Sequence, residues 1–278
     1  MPAALPQPFS APFDAVAARY DETFTSSIIG RAQRAAVWKE LTMAFHPGDR
    51  VLEIGCGTGV DACCLAERGV EVLACDPSSH MIEVASRRIR QRGFEVLVRT
   101  CVLRAEDVSG LSASGEVSFD GAFSNFGALN CVRDLRVAAK GIARLLRPGG
   151  TALLCWMGPY CLWEMLFYLG QGNTRKAFRR FRREAVSVRL AEKALVQVHY
   201  PSVRTLAETF SPEFRVQSVQ GIGVAVPPSY LETWAWRHRR LIRLCEQFDC
   251  WFGRWPGLRS MGDHVLVKLE RRQDAGER

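Results

Sequence analysis

The sequence predicts an α/β fold with a parallel sheet covered on both faces. Two observations predict it. Five short apolar runs in the first half lack polar alternation and are separated by amphipathic stretches of helical period. The first of these runs also ends in a glycine-rich turn that opens onto a helix.

The elements follow in order. "RVLEIG" reads as a buried strand, residues 60–68 as a helix ending at Gly69, and "VEVLAC" as the next strand. Residues 79–91 form a second helix stopped by Arg92-Gly93, and "FEVLVRTCVL" is a third strand. "FDGAFSNF" is a fourth strand, residues 135–146 a helix, and "TALLCWM" a fifth strand after the turn "RPGG". Ahead of them, "MPAALPQPFSAPF" is a loose lead-in to a helix near Asp14.

From Pro159 the pattern changes. "YCLWEMLFYLG" is apolar all round and reads as a buried helix. "TRKAFRRFRREAVSVRL" reads as an amphipathic helix, with Ala177, Phe178, Phe181, Ala185 and Val188 on one face. Arg175, Lys176, Arg179, Arg180, Arg182 and Arg183 lie opposite. "FRVQSVQGIGVAV" is a strand, and residues 230–248 are a second amphipathic helix with Leu231, Trp234, Ala235, Leu241, Ile242 and Cys245 at helical spacing. "DHVLVKLERR" is a final alternating strand, and the charged tail after Glu270 frays.

The 278 residues suit one domain with an elaborated cap, and 47% apolar with 24% charged residues is ordinary for a soluble globular chain. Ten cysteines include no C-x-x-C pair and sit mostly in apolar runs, which points to buried reduced thiols and the cytoplasm, with no zinc site. No basic-then-apolar N-terminal pattern reads as a secretory signal. Residues 151–170 are nearly uncharged and about 20 residues suffice to span a bilayer. Gly158-Pro159 and Glu164 interrupt that stretch, so it reads as a strand and a helix. The net charge of +8 permits nucleic acid, an acidic membrane surface or an anionic substrate and selects none of them.

The glycine turn carries the chemistry. Gly55, Gly57 and Gly59 let the backbone bend and approach a ligand, and the helix that follows offers unpaired N–H groups. Asp76, 23 residues after Glu53, stands where an acid accepts the hydroxyls of a ribose. A dinucleotide site wants Gly or Ala where this sequence has Val60, so its spacing is E-x-G-x-G-x-G instead. The competing reading is a tight strand–helix turn without a ligand.

On "VLEIGCGTG", "FDAVAARYDETF", "CDPSSHMIEVA" and "LLRPGGTALL", the chain resembles the class I S-adenosylmethionine-dependent methyltransferases over residues 13–157. Its N-terminal half is similar to the ubiquinone/menaquinone type. The resemblance implies a Rossmann-like, seven-stranded, mostly parallel sheet of order 3-2-1-4-5-7-6 with strand seven antiparallel. Helical cap insertions at residues 158–213 and 227–261 would build the acceptor site. It implies S-adenosyl-L-methionine as cofactor. Tyr20 would lie beside it, Glu53 and Gly55 near its methionine part, Cys56 among the residues that bind it, and Gly57 and Gly59 would give it room. Asp76 would bind the ribose, with Pro77 and Met81 packing on the adenine. Arg104 stands where the family often has an acid, so Ala105, Glu106 or Asp107 would hold the adenine edge. Ser124, Asn125 and Phe126 would flank the sulfonium.

Transfer from a sulfonium needs alignment and exclusion of water, and a base only where the nucleophile must lose a proton. No triad appears, and no base is assigned. His199 and Tyr200 are candidates; the alternative for His199 is a histidine bonded to backbone. His80 sits at a helix start near the adenine, His238 on the apolar face of its helix, and His46 and His264 in turns.

Trp156, Trp163, Met165, Phe167 and Tyr168 suggest an apolar or aromatic acceptor, with arginines at the rim for a carboxylate or phosphate. They equally suit the cap's own core. The arginine cluster reads as a solvated helix face, a lid over an anionic small molecule, a membrane-surface patch or, last, a nucleic-acid contact. Asn125 is followed by Phe126-Gly127, not by the Pro-Pro-aromatic signature of base methylation. The reading is a methyltransferase for a small organic acceptor. RNA or protein methylation, and a non-catalytic nucleoside- or partner-binding protein of the same fold, are the alternatives. The oligomeric state is open.

Overall fold

The apolar runs fold as strands because both of their faces are covered. The computed structural model describes residues 11–114, 118–182, 184–191 and 194–273. Ahead of the first strand runs α1 (Ile28–Ala44), for which the sequence carried no expectation; the Ser27 hydroxyl caps it by accepting the Gly30 N–H at 2.8 Å. Then β1 (Arg50–Ile54), α2 (Val60–Ala66), β2 (Glu71–Asp76), α3 (Ser79–Arg92), β3 (Val98–Val102), β4 (Phe119–Ser124), α4 (Leu135–Leu145) and β5 (Leu146–Trp156) alternate. Gly93, with φ of 71°, ends α3, and the Asp134 carboxylate caps α4 through the N–H groups of Arg136 and Val137. The "RPGG" turn is absorbed as an irregularity inside β5, between the pairs Phe119↔Leu146 and Gly121↔Thr151.

Beyond β5 come α5 (Leu162–Gly170), α6 (Thr174–Ala177), the hairpin β6 (Val186–Ala191) and β7 (Ala194–Val198), and α7 (Val203–Phe210). β8 (Phe214–Ile222), α8 (Glu232–Arg237), α9 (Arg239–Phe252) and β9 (His264–Arg271) complete the chain. Seven strands form one sheet in the order β3-β2-β1-β4-β5-β9-β8. β9 pairs antiparallel with both β5 and β8, and the other neighbouring pairs are parallel. This is the expected order, with β8 and β9 in the places of strands six and seven.

Alternate residues of each central strand feed two cores. Leu52, Ala122, Leu154 and Val267 pack with Ile142 of α4 and Phe210 of α7. Val51, Phe123, Leu153 and Leu266 pack with Leu41 of α1 and Leu65 of α2. No helix among the described residues is long and apolar enough to cross a membrane.

Five expectations need correction. α5 is not a buried helix: Glu164 is its one buried residue, and Leu166 and Leu169 are exposed. The lead-in at Asp14 is not one helix but two 3-10 turns, Pro12–Ala15 and Ala17–Arg19, and a π turn, Asp21–Thr25. Tertiary bonds from Asp14 and Asp21, described below, hold it against α3 and the turn after β1. The basic amphipathic helix is absent as well. Its first part is the four-residue α6 and a 3-10 turn, Arg179–Phe181, with Phe178 and Phe181 exposed. Its second part is β6, because Val186 and Val188 recur at period two and pair with Val198 and Val196. The insertion is therefore not wholly helical, and Arg183 lies outside the described residues. The helix expected over 230–248 breaks at His238, which is exposed and stacks on Trp234, and Leu241 also faces outward. Finally, His264 is not in a turn but is the buried first residue of β9.

Candidate active site

The turn after β1 is fixed from behind. The N–H groups of Gly55 and Cys56 donate to the Cys75 carbonyl at 2.8 and 2.9 Å, tying the turn to the end of β2. Gly55 has φ of 72°, and a Cβ there would lie 2.1 Å from the Ala128 Cβ. Gly59 is similarly closed by Ala85 at 2.9 Å. A Cβ on Gly57 (φ 52°) would meet nothing within 4 Å. The flanking glycines thus serve packing, and Gly57 presents a free face. Cys56 is buried beside it, and burial pushes its thiol up.

Asp76 ends β2 under this turn. It accepts the Gly57 N–H and the Ser78 N–H, both at 2.9 Å, and burial pushes its carboxyl up. Pro77 is half-buried, and Met81 is buried within the first turn of α3, its N–H bonded to the Ser78 hydroxyl. The chain leaving β3 is drawn to the same place, because the Leu103 N–H donates to the Asp76 carbonyl at 3.0 Å. Ala105 is buried there; Glu106 turns to the Arg133 N–H at 3.0 Å, and Asp107 is exposed.

Two buried oxygens in this region have no hydrogen-bond partner among the described residues: Glu53 Oε2 and Ser124 Oγ. Glu53 is buried in β1, and burial with the nearby Asp61 charge pushes its carboxyl well up. Asp61 was not foreseen, although an acid in the first turn of α2 is a signal that could have found it. It accepts from Arg34 at 2.5 Å, the Trp38 indole at 2.6 Å and the Asn125 amide at 2.9 Å, joining α1, α2 and the loop after β4. Phe126 follows with φ of 46°, a left-handed backbone that a bulky residue adopts only under constraint. Its ring supplies the constraint: it meets Phe24 and His264 edge-on at 5.0 and 5.3 Å, with the Arg34 guanidinium 4.7 Å from its centre.

The N-terminal segment lies over the turn. Asp14 accepts the Ser78 hydroxyl at 2.5 Å and pairs with His80 at 3.1 Å. Asp21 accepts the Thr58 hydroxyl at 2.7 Å and pairs with Arg88, which also donates to the Thr58 carbonyl. Tyr20 sits between these anchors in the field of Arg34, Asp61 and Asp76, and loss of solvent pushes its hydroxyl up to about 12.

A second polar cluster lies where the insertion meets the sheet. Glu164 of α5 is buried and accepts from Arg179 at 2.6 Å and from Arg180 at 3.0 Å. Arg180 continues to the Asp263 carbonyl at 2.9 Å and carboxylate at 2.8 Å. Gln33 and His264 complete the cluster around Asp263. Arg179 and Arg180 are therefore not a solvated face. Tyr200 packs beside Arg180, 5.5 Å from guanidinium to ring centre, and burial pushes its hydroxyl up, which disfavours it as a base. His199 is half-buried; its N–H donates to the Asn130 carbonyl at 2.8 Å, and its carbonyl accepts the Asn130 side-chain amide at 2.6 Å. Asn130, another residue not foreseen, also brackets the Met157 backbone. His199 is thus tied through Asn130 to the segment after β4, and Tyr200 lies beside Arg180 at this junction.

An unhindered glycine beside a buried acid, with two unpartnered buried oxygens nearby, fits a ligand that brings hydroxyls and a cationic group. The sheet order around them is the Rossmann-like, mostly parallel, seven-stranded arrangement that the sequence resemblance implied. Residues 51–150 match the family model described as a methyltransferase domain. The chain is 33% identical over 150 residues to a demethylmenaquinone methyltransferase of Clavibacter sepedonicus, covering 54% of this chain and 58% of the relative. The chain covers less than two thirds of the length of the curated relatives it matches. Among solved structures, the putative methyltransferase in a complex with the Haloferax volcanii Trm112 methyltransferase activator superposes with a TM-score of 0.60 at 17% identity, covering 96% of this chain and 98% of that one. A putative S-adenosylmethionine-dependent methyltransferase from Listeria monocytogenes gives 0.58 at 18% identity, covering 87% and 98%. These two show the fold.

Proposed function

We propose that the chain is an S-adenosyl-L-methionine-dependent methyltransferase acting on a small organic acceptor. The observation that carries the proposal is the Gly57–Asp76 unit, an open glycine face bonded to a buried acid. When bound, the cofactor supplies an already activated methyl group. The residues of this chain bind and orient it. Asp76 accepts the ribose hydroxyls through the lone pairs its two N–H partners leave free. Met81, Pro77 and the Ala105–Asp107 turn cover the adenine. Glu53 and Ser124 take the polar atoms at the methionine end, where their own oxygens lack partners.

Tyr20 and the segment around it exclude water, and Phe126 holds the loop beside the reacting atoms. The acceptor enters from the insertion between β5 and β8, where Tyr160, Phe181 and Tyr200 gather near Arg179 and Arg180. That two arginines of the basic run are bonded internally favours a small acceptor over RNA. The ten free cysteines suit the reducing cytoplasm. Calorimetric titration with S-adenosylmethionine, S-adenosylhomocysteine and NAD tests the proposal. Binding of the first two and not the third is expected; binding of NAD in their place refutes it.

A further inference from the structure

α9 presents two apolar faces, and the fold uses one of them. Ile242 and Cys245 pack with Ile29 and Ala32 of α1. Leu241, Leu244, Phe248 and Trp251 recur at spacings of three, four and three, which places them within about 80° of arc at 3.6 residues per turn. All four are exposed, Leu244 by 61% and Trp251 by 71%, and Trp255, just past the end of α9, is 57% exposed. Side chains of this size do not gather outside a monomer's core without consequence.

The charges beside the stripe identify what covers it. Arg237 at the end of α8 and Arg239, Arg240 and Arg243 of α9 are exposed. Of the acids there, Glu232 caps α1 through the Ile28 and Ile29 N–H groups. Asp249 is buried on the Ala225 and Val226 N–H groups, which leaves Glu246 exposed. Between α1 and α9 a groove of about 480 Å³ has an apolar floor of Ile28, Ala32 and Ile242 and arginines at its rim. Arg239 lies 4.5 Å from the centre of the Trp236 ring.

We infer that α9 docks the protein on an anionic lipid bilayer. The leucine–aromatic stripe enters the boundary between headgroups and acyl chains, and the arginines meet lipid phosphates. A second copy seated on the same face would bring four exposed arginines and a single exposed acid, Glu246, from each side, leaving the seam with an excess of positive charge. This inference does not rest on the proposed methyl transfer. It also moves membrane contact from the arginine run at 175–183, where Arg179 and Arg180 are bonded inward, to α9.

Sedimentation of the full chain with vesicles tests it. Vesicles of equal parts phosphatidylglycerol and phosphatidylcholine should bind the protein at least about tenfold more tightly than phosphatidylcholine vesicles, and raised salt should weaken the binding. Leu244→Glu/Trp251→Glu alters two exposed side chains and should lower the affinity at least about tenfold with an unchanged melting temperature. Arg240→Gln/Arg243→Gln should lose the preference for the anionic vesicles. Failure to bind the anionic vesicles, or equal binding by Leu244→Glu/Trp251→Glu, overturns the inference. So does a dimer in analytical ultracentrifugation that Leu244→Glu/Trp251→Glu converts to monomer.

Discussion

The Asp76 carboxylate accepts the Gly57 N–H at 2.9 Å, so the acid that ends β2 and the open glycine of the turn form one unit. The strand end aims the acid, and the acid in turn fixes the peptide plane at Gly57. Asp76→Ala removes both the fixing bond and the acceptor proposed above for the ribose. A charge-assisted hydrogen bond contributes about 1.5–3 kcal/mol, so S-adenosylhomocysteine affinity should fall at least about tenfold. Calorimetry with wild type and variant measures this, and circular dichroism checks that the variant folds.

Neighbouring glycines should respond differently. Gly55→Ala places a Cβ against Ala128, and overpacking of this kind costs about 1–3 kcal/mol beyond the strain of a left-handed backbone. Gly57→Ala incurs only the backbone strain, about 1–2 kcal/mol, but puts a methyl group into the free face. Urea unfolding should show the larger stability loss for Gly55→Ala. Calorimetry on folded protein should show at least about a tenfold affinity loss for Gly57→Ala.

Binding should release a proton. Glu53 is an acid whose folded-state pKa is raised, so any stability linked to its protonation is present below its ordinary value of 4.5 and is lost as pH rises through its folded value. A cationic ligand group beside Glu53 favours the carboxylate and expels the proton. Affinity should therefore rise with pH while Glu53 titrates. Calorimetry in buffers of different ionisation enthalpy reads the proton directly, and Glu53→Gln should abolish that dependence.

Arg180 bridges two buried carboxylates, and its loss leaves both short of a partner. Arg180→Met should cost about 3–5 kcal/mol in urea unfolding, the usual result of stranding a buried charge. Arg179 is 35% exposed and contacts only the Glu164 end of this cluster, so Arg179→Met should cost about 1–2 kcal/mol. Equal losses would show that the bridge to Asp263 contributes nothing.

What the sequence made legible is what is local. Gly55 to Gly59 and Asp76 lie in one strand–turn–helix–strand unit, and the apolar runs announce strands buried on two faces. The order of the late strands came from family resemblance, because nothing at Phe214 or His264 indicates which neighbour each strand pairs with. The Arg34–Asp61–Asn125 and Glu164–Arg180–Asp263 clusters join residues far apart in the chain, and the pairing of such charges is invisible to periodicity. The hairpin at Val186 was hidden for a different reason. Arginines interleave its approach, and the short alternation Val186-Ser187-Val188 fits either period.

The central claim is that the Gly57–Asp76 unit holds S-adenosyl-L-methionine. Titration of the full chain with S-adenosylhomocysteine, with NAD as the competing dinucleotide, tests it most directly. One site per chain for S-adenosylhomocysteine, weakened at least about tenfold by Asp76→Ala, and no heat from NAD are expected. Saturable NAD binding with none for S-adenosylhomocysteine, or S-adenosylhomocysteine affinity indifferent to Asp76→Ala, would contradict it.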